Sequence, residues 1–471
     1  MTSRLVAQQT IPRRNEVGVH TGVRLSGLEN RVIRRALSSG FRSIPTERVP
    51  SRGPDRIRPA ARALAGELAL HLDEFWQDAG RAEEGPVDVI DMFSGCGGMS
   101  AGFLAANAVV PAYRLAAAVD VNTVANSTYE ANLRLTPLAE DVAAIASKGS
   151  RLVGITSKRR AGTPLVLIGC SPCQGFSSHR NNTDRVDPRN SLFVDFARIA
   201  SRLMPDAILV ENVPELLTES HWPYIEKARS ILRRCGYFVH LSVHNMAQFG
   251  LPQERFRALM IAMRHPFRPP QGFLAREGFR TVRHAIGHLP PVRAGERCSE
   301  DAMHYSAGHR QSTLEIIRAV PRDGGSRPEH VGPPCLRRAK DRNGRAVYED
   351  VYGRLWWDRP AITITAYARN PASGRFSHPV QDRGLTVREA ALLQGFPRGY
   401  WFAGTLDDRF RQIGNAVPPV FAAFLAAYIL GEMLGPVPSP DEFSRGIAQP
   451  VGTSFSRLIP ALKAGRRNGA A

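Results

Sequence analysis

From Val87 onward the sequence alternates short apolar runs with amphipathic stretches, and each apolar run ends in a polar or glycine-rich turn. No other feature constrains the fold as much. Strands joined through helices pair in parallel and are buried on both faces, which is why they read as continuous apolar runs. The candidate strands are VDVIDMF (87–93), RLAAAVDV (114–121), PLVLIGC (164–170), DAILVENV (206–213), YFVHLSVHN (237–245) and RALMIAMR (257–264). NSLFVDFARIASRLM (190–204) carries apolar residues at helical spacing and stops at Pro205. The pattern predicts an α/β domain with a mostly parallel sheet, whose ligands should gather at the carboxyl ends of the strands.

On either side the pattern weakens. Up to about Pro59 the chain is rich in Arg, Ser and Pro, with thirteen Arg against four acidic residues through Arg62. It reads as a basic, partly flexible extension followed by one helix, AARALAGELALHLDEFWQDAG (60–80). Between Pro266 and Asp358 the alternation is lost and five of the 13 histidines appear, as in a second, smaller and less regular domain. Further on, Thr386 and Glu389 have the spacing of a capping box, and IGNAVPPVFAAFLAAYILGEML (413–434) reads as an apolar helix packed on a core. The expected division is 1–85 for the extension, 86–265 for the α/β domain, 266–410 for the smaller domain, 411–436 for a helix completing the first, and 437–471 for a flexible tail.

Charge narrows the partners. The chain has 62 Lys+Arg against 43 Asp+Glu, a net charge of +19 over 471 residues. Such a field favours polyanions, nucleic acid first among them, although an Arg-rich genome would give part of the same excess. Six scattered cysteines are too few for a disulfide framework, so a reducing cytoplasm is expected. The start of the chain lacks an apolar signal core and its most apolar stretch is short for a bilayer, so neither export nor a membrane is expected.

Chemistry concentrates at the ends of the predicted strands. DMFSGCGG (91–98) is a glycine turn after the first strand, without the G-x-G-x-x-G dinucleotide spacing. Asp120 ends the second strand, where an acid can accept from ribose hydroxyls, and Asp141 is placed to border an adenine. GCSPCQGFSS (169–178) holds Cys170 and Cys173 at C-x-x-C spacing. No second pair at matching spacing supports a metal, and none is expected. A redox dithiol fits the spacing, and so does a single nucleophile on a loop stiffened by Pro172. Glu211 and Asn212 end another strand, while QERFR puts Gln253, Arg255 and Arg257 nearby. A thiol, a carboxyl and arginines at one sheet edge can attack an electrophilic carbon, donate a proton and hold a phosphate.

Taken in order, DMFSGCGG, SPCQGFS, ENV, QERFR, RPAITIT and RQIGNAVPP resemble the DNA (cytosine-5)-methyltransferase family over about Val87 to Leu434. The resemblance implies a Rossmann-like methyltransferase sheet with a small target-recognition domain. It implies S-adenosyl-L-methionine as cofactor, against Asp91, Phe93, Ser94, Gly95, Gly97, Gly98, Asp120, Val121, Asp141, Val142, Leu192, Asn415, Ala416 and Val417. It implies that Cys173 adds to carbon 6 of a flipped-out cytosine, that Glu211 sits at ring nitrogen 3, and that Arg257, Arg255 and Gln253 support the site. Cys170 is then expected to be a small buried hydrophobe. Double-stranded DNA is the implied substrate, a cognate restriction endonuclease the implied companion and a monomer the expected state. A tRNA-methylating branch shares the motifs, and charge does not separate it; the other alternative is a catalytically inactive nucleic-acid-binding homologue, against which the intact Cys173, Glu211, Gln253, Arg255 and Arg257 argue. Ser171 stands where the family commonly has Pro, and Asp120 where it often has Glu.

Overall fold

Each apolar run forms a strand in the computed structural model, which describes residues 57–79, 85–171, 188–338, 348 and 350–452. The strands are β1 (Val87–Met92), β2 (Tyr113–Val119), β3 (Leu165–Gly169), β4 (Ala207–Asn212), β5 (Phe238–Asn245) and β6 (Phe256–Met263). They form one sheet in the order β2-β1-β3-β4-β6-β5. The pairs β1/β2, β1/β3 and β3/β4 are parallel, whereas β6 runs antiparallel to both β4 and β5. That reversal positions chemistry. β6 begins at the edge where β3 and β4 end, so residues 253–257 arrive beside the carboxyl ends of the parallel strands.

Helices cover both faces. On one, Val87, Val89, Val166, Ile168 and Leu209 pack with the helices Ile57–Leu70, Gly98–Asn107 and Pro419–Leu434. On the other, Ile90, Met92, Leu167, Ile208 and Val210 pack with Val142–Ser147, Leu192–Leu203 and Trp222–Arg234. The side-chain alternation along each strand supplies both cores at once.

Three expectations about the flanks change. The helix expected at 60–80 is two, Ile57–Leu70 and Leu72–Ala79, and its Ala60, Leu64 and Leu68 belong to the main core. This segment therefore packs as part of the α/β layer. Residues 1–56, where the basic arm is expected, lie outside the described residues. The helix expected at 413–434 is also two, Leu406–Asn415 and Pro419–Leu434, because consecutive prolines at 418 and 419 remove the donors needed to run on. The boundary expected at 410/411 falls inside the first of them. By composition the stretch Leu406–Leu434 is apolar enough to cross a membrane, but 83% of its most apolar window is buried inside the protein. The tail expected to be flexible from 437 is mostly exposed but is tied to the α/β layer by backbone hydrogen bonds through 452. Leu241 N–H donates to Arg445 O and Ile447 N–H to Leu241 O, which covers the outer edge of β5 at Leu241, and Val451 N–H donates to Leu217 O beyond β4.

The chain between β6 and Leu406 is largely irregular. Leu355, Phe376, Leu393 and Phe402 share one apolar cluster with Cys96, Ala101 and Tyr129 of the α/β layer. Its interior is also polar. Glu389 accepts from both terminal nitrogens of Arg383 at 2.7 Å each and closes the capping box with Thr386. Burial pushes the Glu389 carboxyl up, but Arg383 and His378 more than offset this and hold it down at about 2.

The N-terminal helix is fastened by charge as well as by apolar contact. Arg58 Nε lies 2.7 Å from Glu432 Oε1, and both side chains are nearly buried. Removing one member of such a pair leaves an uncompensated charge. Arg58→Ala should therefore lower the unfolding free energy by about 3 kcal/mol, read as a reduced midpoint in urea with an unchanged slope.

Candidate active site

A cavity of about 390 Å³ opens at the carboxyl ends of β1, β2, β3 and β4. Its lining includes Asp91, Phe93, Ser94, Gly95, Gly98, Asp120, Val121, Asp141, Val142, Leu192, Asn415, Ala416 and Val417. It also includes Glu211, Arg255 and Arg257, so the two groups of residues expected from the motifs meet in one space.

The β1 side is shaped by backbone. Phe93 and Gly95 both take left-handed conformations, with φ of 59° and 51°. For Phe93 this is a strained state; for Gly95 it is the reason a glycine is needed, since a Cβ there would meet only open space. Gly95 N–H donates to Asp120 Oδ2 and Asn122 N–H to Asp120 Oδ1, each at 2.8 Å, which locks the β2 acid in place. Asp141 accepts from Ala143 N–H and caps the helix Val142–Ser147. Asp91 accepts from Ser100 Oγ at 2.6 Å. Burial, with Asp120 nearby adding to it, pushes the Asp91 carboxyl up to about 7.

The β4 side is shaped by the sheet register. Glu211 is 1% exposed, and its Oε1 lies 3.1 Å from Arg257 Nε, close enough for an ion pair although the angle falls outside hydrogen-bond geometry. Its Oε2 accepts from Cys170 Sγ at 3.0 Å. Asn212 donates to Ser171 Oγ at 2.8 Å and to Ser171 O at 3.2 Å, which fixes the residue that opens the cysteine loop. The hydroxyl at 171 thus has a partner that a proline would lack.

The family described as C-5 cytosine-specific DNA methylase matches residues 87–431. The chain belongs to that family. Among its relatives, the Type II methylase M.HgiDII of Herpetosiphon aurantiacus is 32% identical, covering 72% of this chain and 94% of its own length. The Type II methyltransferase M1.HphI of Haemophilus parahaemolyticus is also 32% identical, covering 72% and 86%. A crystal structure described as a DNA modification methyltransferase encoded within an E. coli prophage shares the fold, with a TM-score of 0.56 at 22% identity, covering 74% of this chain and 99% of its own. This DNA (cytosine-5)-methyltransferase uses S-adenosyl-L-methionine and acts on DNA.

The cavity fits that cofactor on its own features. Ser94 Oγ is buried in the wall without a hydrogen-bond partner among the described residues, carboxylates line the β1 and β2 ends, and Gly95 leaves open space.

Not every residue expected at the methyltransferase site lies there. Gly97 is absent from the cavity wall; it caps the helix Gly98–Asn107 with φ 86° and packs toward Leu133, Tyr129 and Tyr400. Gln253 is fully buried away from the cavity, donating to Leu393 O and Gln394 Oε1 and accepting from Ile364 N–H. Cys173 lies outside the described residues. Cys170 is half-buried and bonded to Glu211, so it is more than the apolar filler expected. Also in the wall are Asn122 and Glu140, which no motif announces, and Arg411 and Gln412, which open the RQIGNAVPP motif but were not among the expected site residues.

Gln253 ties the start of β6 to two distant segments. Gln253→Ala should therefore act on stability, lowering it by about 1–3 kcal/mol by leaving a buried N–H and a buried C=O unpaired. Urea unfolding followed by circular dichroism measures the loss.

Proposed function

We propose that this enzyme methylates carbon 5 of a cytosine flipped out of duplex DNA, with Cys173 as the covalent nucleophile and Glu211 as the group at ring nitrogen 3. The observation that carries the proposal is the position of Glu211. It is buried at the end of β4, bridged to Arg257, in the same cavity as the β1 and β2 acids, and next to the strand end that leads to Cys173. Extrusion of the base costs a few kcal/mol, which the pocket has to offset.

Bound S-adenosyl-L-methionine supplies an electrophilic methyl group. Phe93 and the turn through Gly98 would flank it, Asp120 would accept from its ribose, Asp141 would border its adenine, and Asn415 to Val417 would close the pocket. The Cys173 thiolate forms a bond to carbon 6 of the cytosine. Glu211 holds a proton at nitrogen 3 and so neutralises the negative charge that the addition pushes into the ring. Arg257 keeps the Glu211 carboxyl aimed. Carbon 5 becomes nucleophilic only in this saturated ring, and after methylation loss of its proton expels the thiolate and restores the double bond. Arg255 acts through the backbone it holds.

The region 266–410 is assigned as target recognition. The Type II names of the relatives support a role as the modifying partner of a cognate restriction endonuclease. A monomer in the cytoplasm is the state proposed for it.

Bisulfite sequencing of DNA from cells expressing the protein tests the reaction. Wild type should protect cytosines within one short sequence, Cys173→Ser should protect none, and an unprotected wild-type sample would refute the proposal. A second outcome follows from Asp91. Its carboxyl is half protonated near pH 7, and the ionised form attracts the cationic cofactor, so binding should weaken below pH 7 and strengthen above it. Cofactor affinity should rise about tenfold between pH 6 and pH 8, and this dependence should vanish in Asp91→Asn, as followed by titration calorimetry.

A further inference from the structure

Cys170 has no part in the chemistry just described, yet it touches its central acid. β3 and β4 pair in parallel with Gly169 opposite Val210, so the next residue along each strand, Cys170 and Glu211, stand side by side. Registered neighbours in a sheet point to the same face. The contact of 3.0 Å between Cys170 Sγ and Glu211 Oε2 is thus set by the register of two buried strands. On the other flank, β6 pairs Leu259 with Glu211, and Arg257, two residues along, lies on the same face and approaches Oε1 at 3.1 Å. The two oxygens of one carboxylate are therefore addressed from the two neighbouring strands, by a thiol on one side and a guanidinium on the other.

We infer that Cys170 is a positioning residue for Glu211, its S–H holding Oε2 so that the carboxyl faces the base in a single orientation. The inference rests on the role proposed for Glu211. An ion pair alone leaves a carboxyl free to rotate about its last bond, and a donor on the second oxygen removes that freedom. With the thiol absent, the acid spends part of its time turned away from nitrogen 3, which slows turnover without touching the cofactor pocket. A hydroxyl at 170 would supply the same donor from the same strand position. A methyl group would not.

The test uses the full chain with Cys170→Ala, Cys170→Ser and Glu211→Gln, measuring labelled methyl transfer to duplex DNA. Rates are expressed per cofactor-binding site, titrated with S-adenosylhomocysteine, so that misfolded protein does not count as slow protein. The expected result is a kcat about tenfold lower in Cys170→Ala with KM for the cofactor unchanged, and recovery of most of that loss in Cys170→Ser. A spectroscopic readout independent of turnover is the S–H stretch of Cys170, isolated as the difference between wild type and Cys170→Ser. It should shift to higher frequency in Glu211→Gln, where the acceptor is weaker. A kcat for Cys170→Ala within twofold of wild type, a serine variant as slow as the alanine one, or an S–H band unmoved by Glu211→Gln would each overturn the inference. Full activity in Glu211→Gln would instead overturn the role proposed for that acid.

Discussion

The site depends on one buried cation. Arg255 is 2% exposed, and its guanidinium donates to Ile364 O, Gly414 O and Ala416 O at 3.2–3.3 Å. These carbonyls come from the irregular region and from the end of the helix Leu406–Asn415, more than a hundred residues from Arg255 in sequence. A guanidinium is permanently charged and offers five donors in a plane, so it can bind several carbonyls that a lysine would bind only in turn. Through it the strand that carries Arg257 is joined to the segment that closes the cavity at Asn415 to Val417. The cavity edge at Glu211 and Arg257 and the wall at Asn415 to Val417 are thereby held in one geometry, although the chain makes them at opposite ends of the domain.

What is local in this fold is legible in the sequence. All six strands were legible, because each is a continuous apolar run with a turn at its end, and so was the Thr386 to Glu389 capping box. Nearly every residue expected at the cofactor lies in the cavity wall, since strand ends in a parallel sheet all open on one edge. The reversal of β6 was not legible, as an apolar run has the same composition in either direction. Nor was the place of Ile57–Ala79 in the main core, because an apolar helix face does not say what it will meet. Gln253 and Arg255 sit in one motif with Arg257, yet only Arg255 and Arg257 reach the cavity. Motif membership groups residues by sequence, and the side-chain directions that separate them come from distant partners.

The same limit explains Cys170. Its neighbour Cys173, three residues on, raised the question of a redox or metal pair, but the contact that defines Cys170 is made across the sheet, 41 residues away. Sheet register is a tertiary property, and a strand end beside an acid looks in sequence like any other. The serine at 171 follows the same logic. Its departure from the common proline becomes intelligible only when Asn212, also across the sheet, is found bonded to its hydroxyl.

Strand order also gives different surroundings to two buried acids of similar chemistry. Asp91 ends β1 and Glu211 ends β4, with β3 between them, and adjacent strands lie about 4.8 Å apart. The sheet therefore sets the two acids on the same face, one on either side of the strand that leads to the cysteine loop. Their surroundings differ in sign. Asp91 faces burial, a hydroxyl and the like charge of Asp120, and its carboxyl is held protonated until near neutrality. Glu211 faces a guanidinium and a thiol donor. An acid waiting for a cation suits the proposed cofactor side, and an acid held in one orientation suits the proposed contact with a ring nitrogen. Pushing two acids into unlike environments lets one fold serve both tasks. The parallel sheet makes this separation cheap, because neighbouring strand ends share an edge while the helices behind them set different neighbours for each.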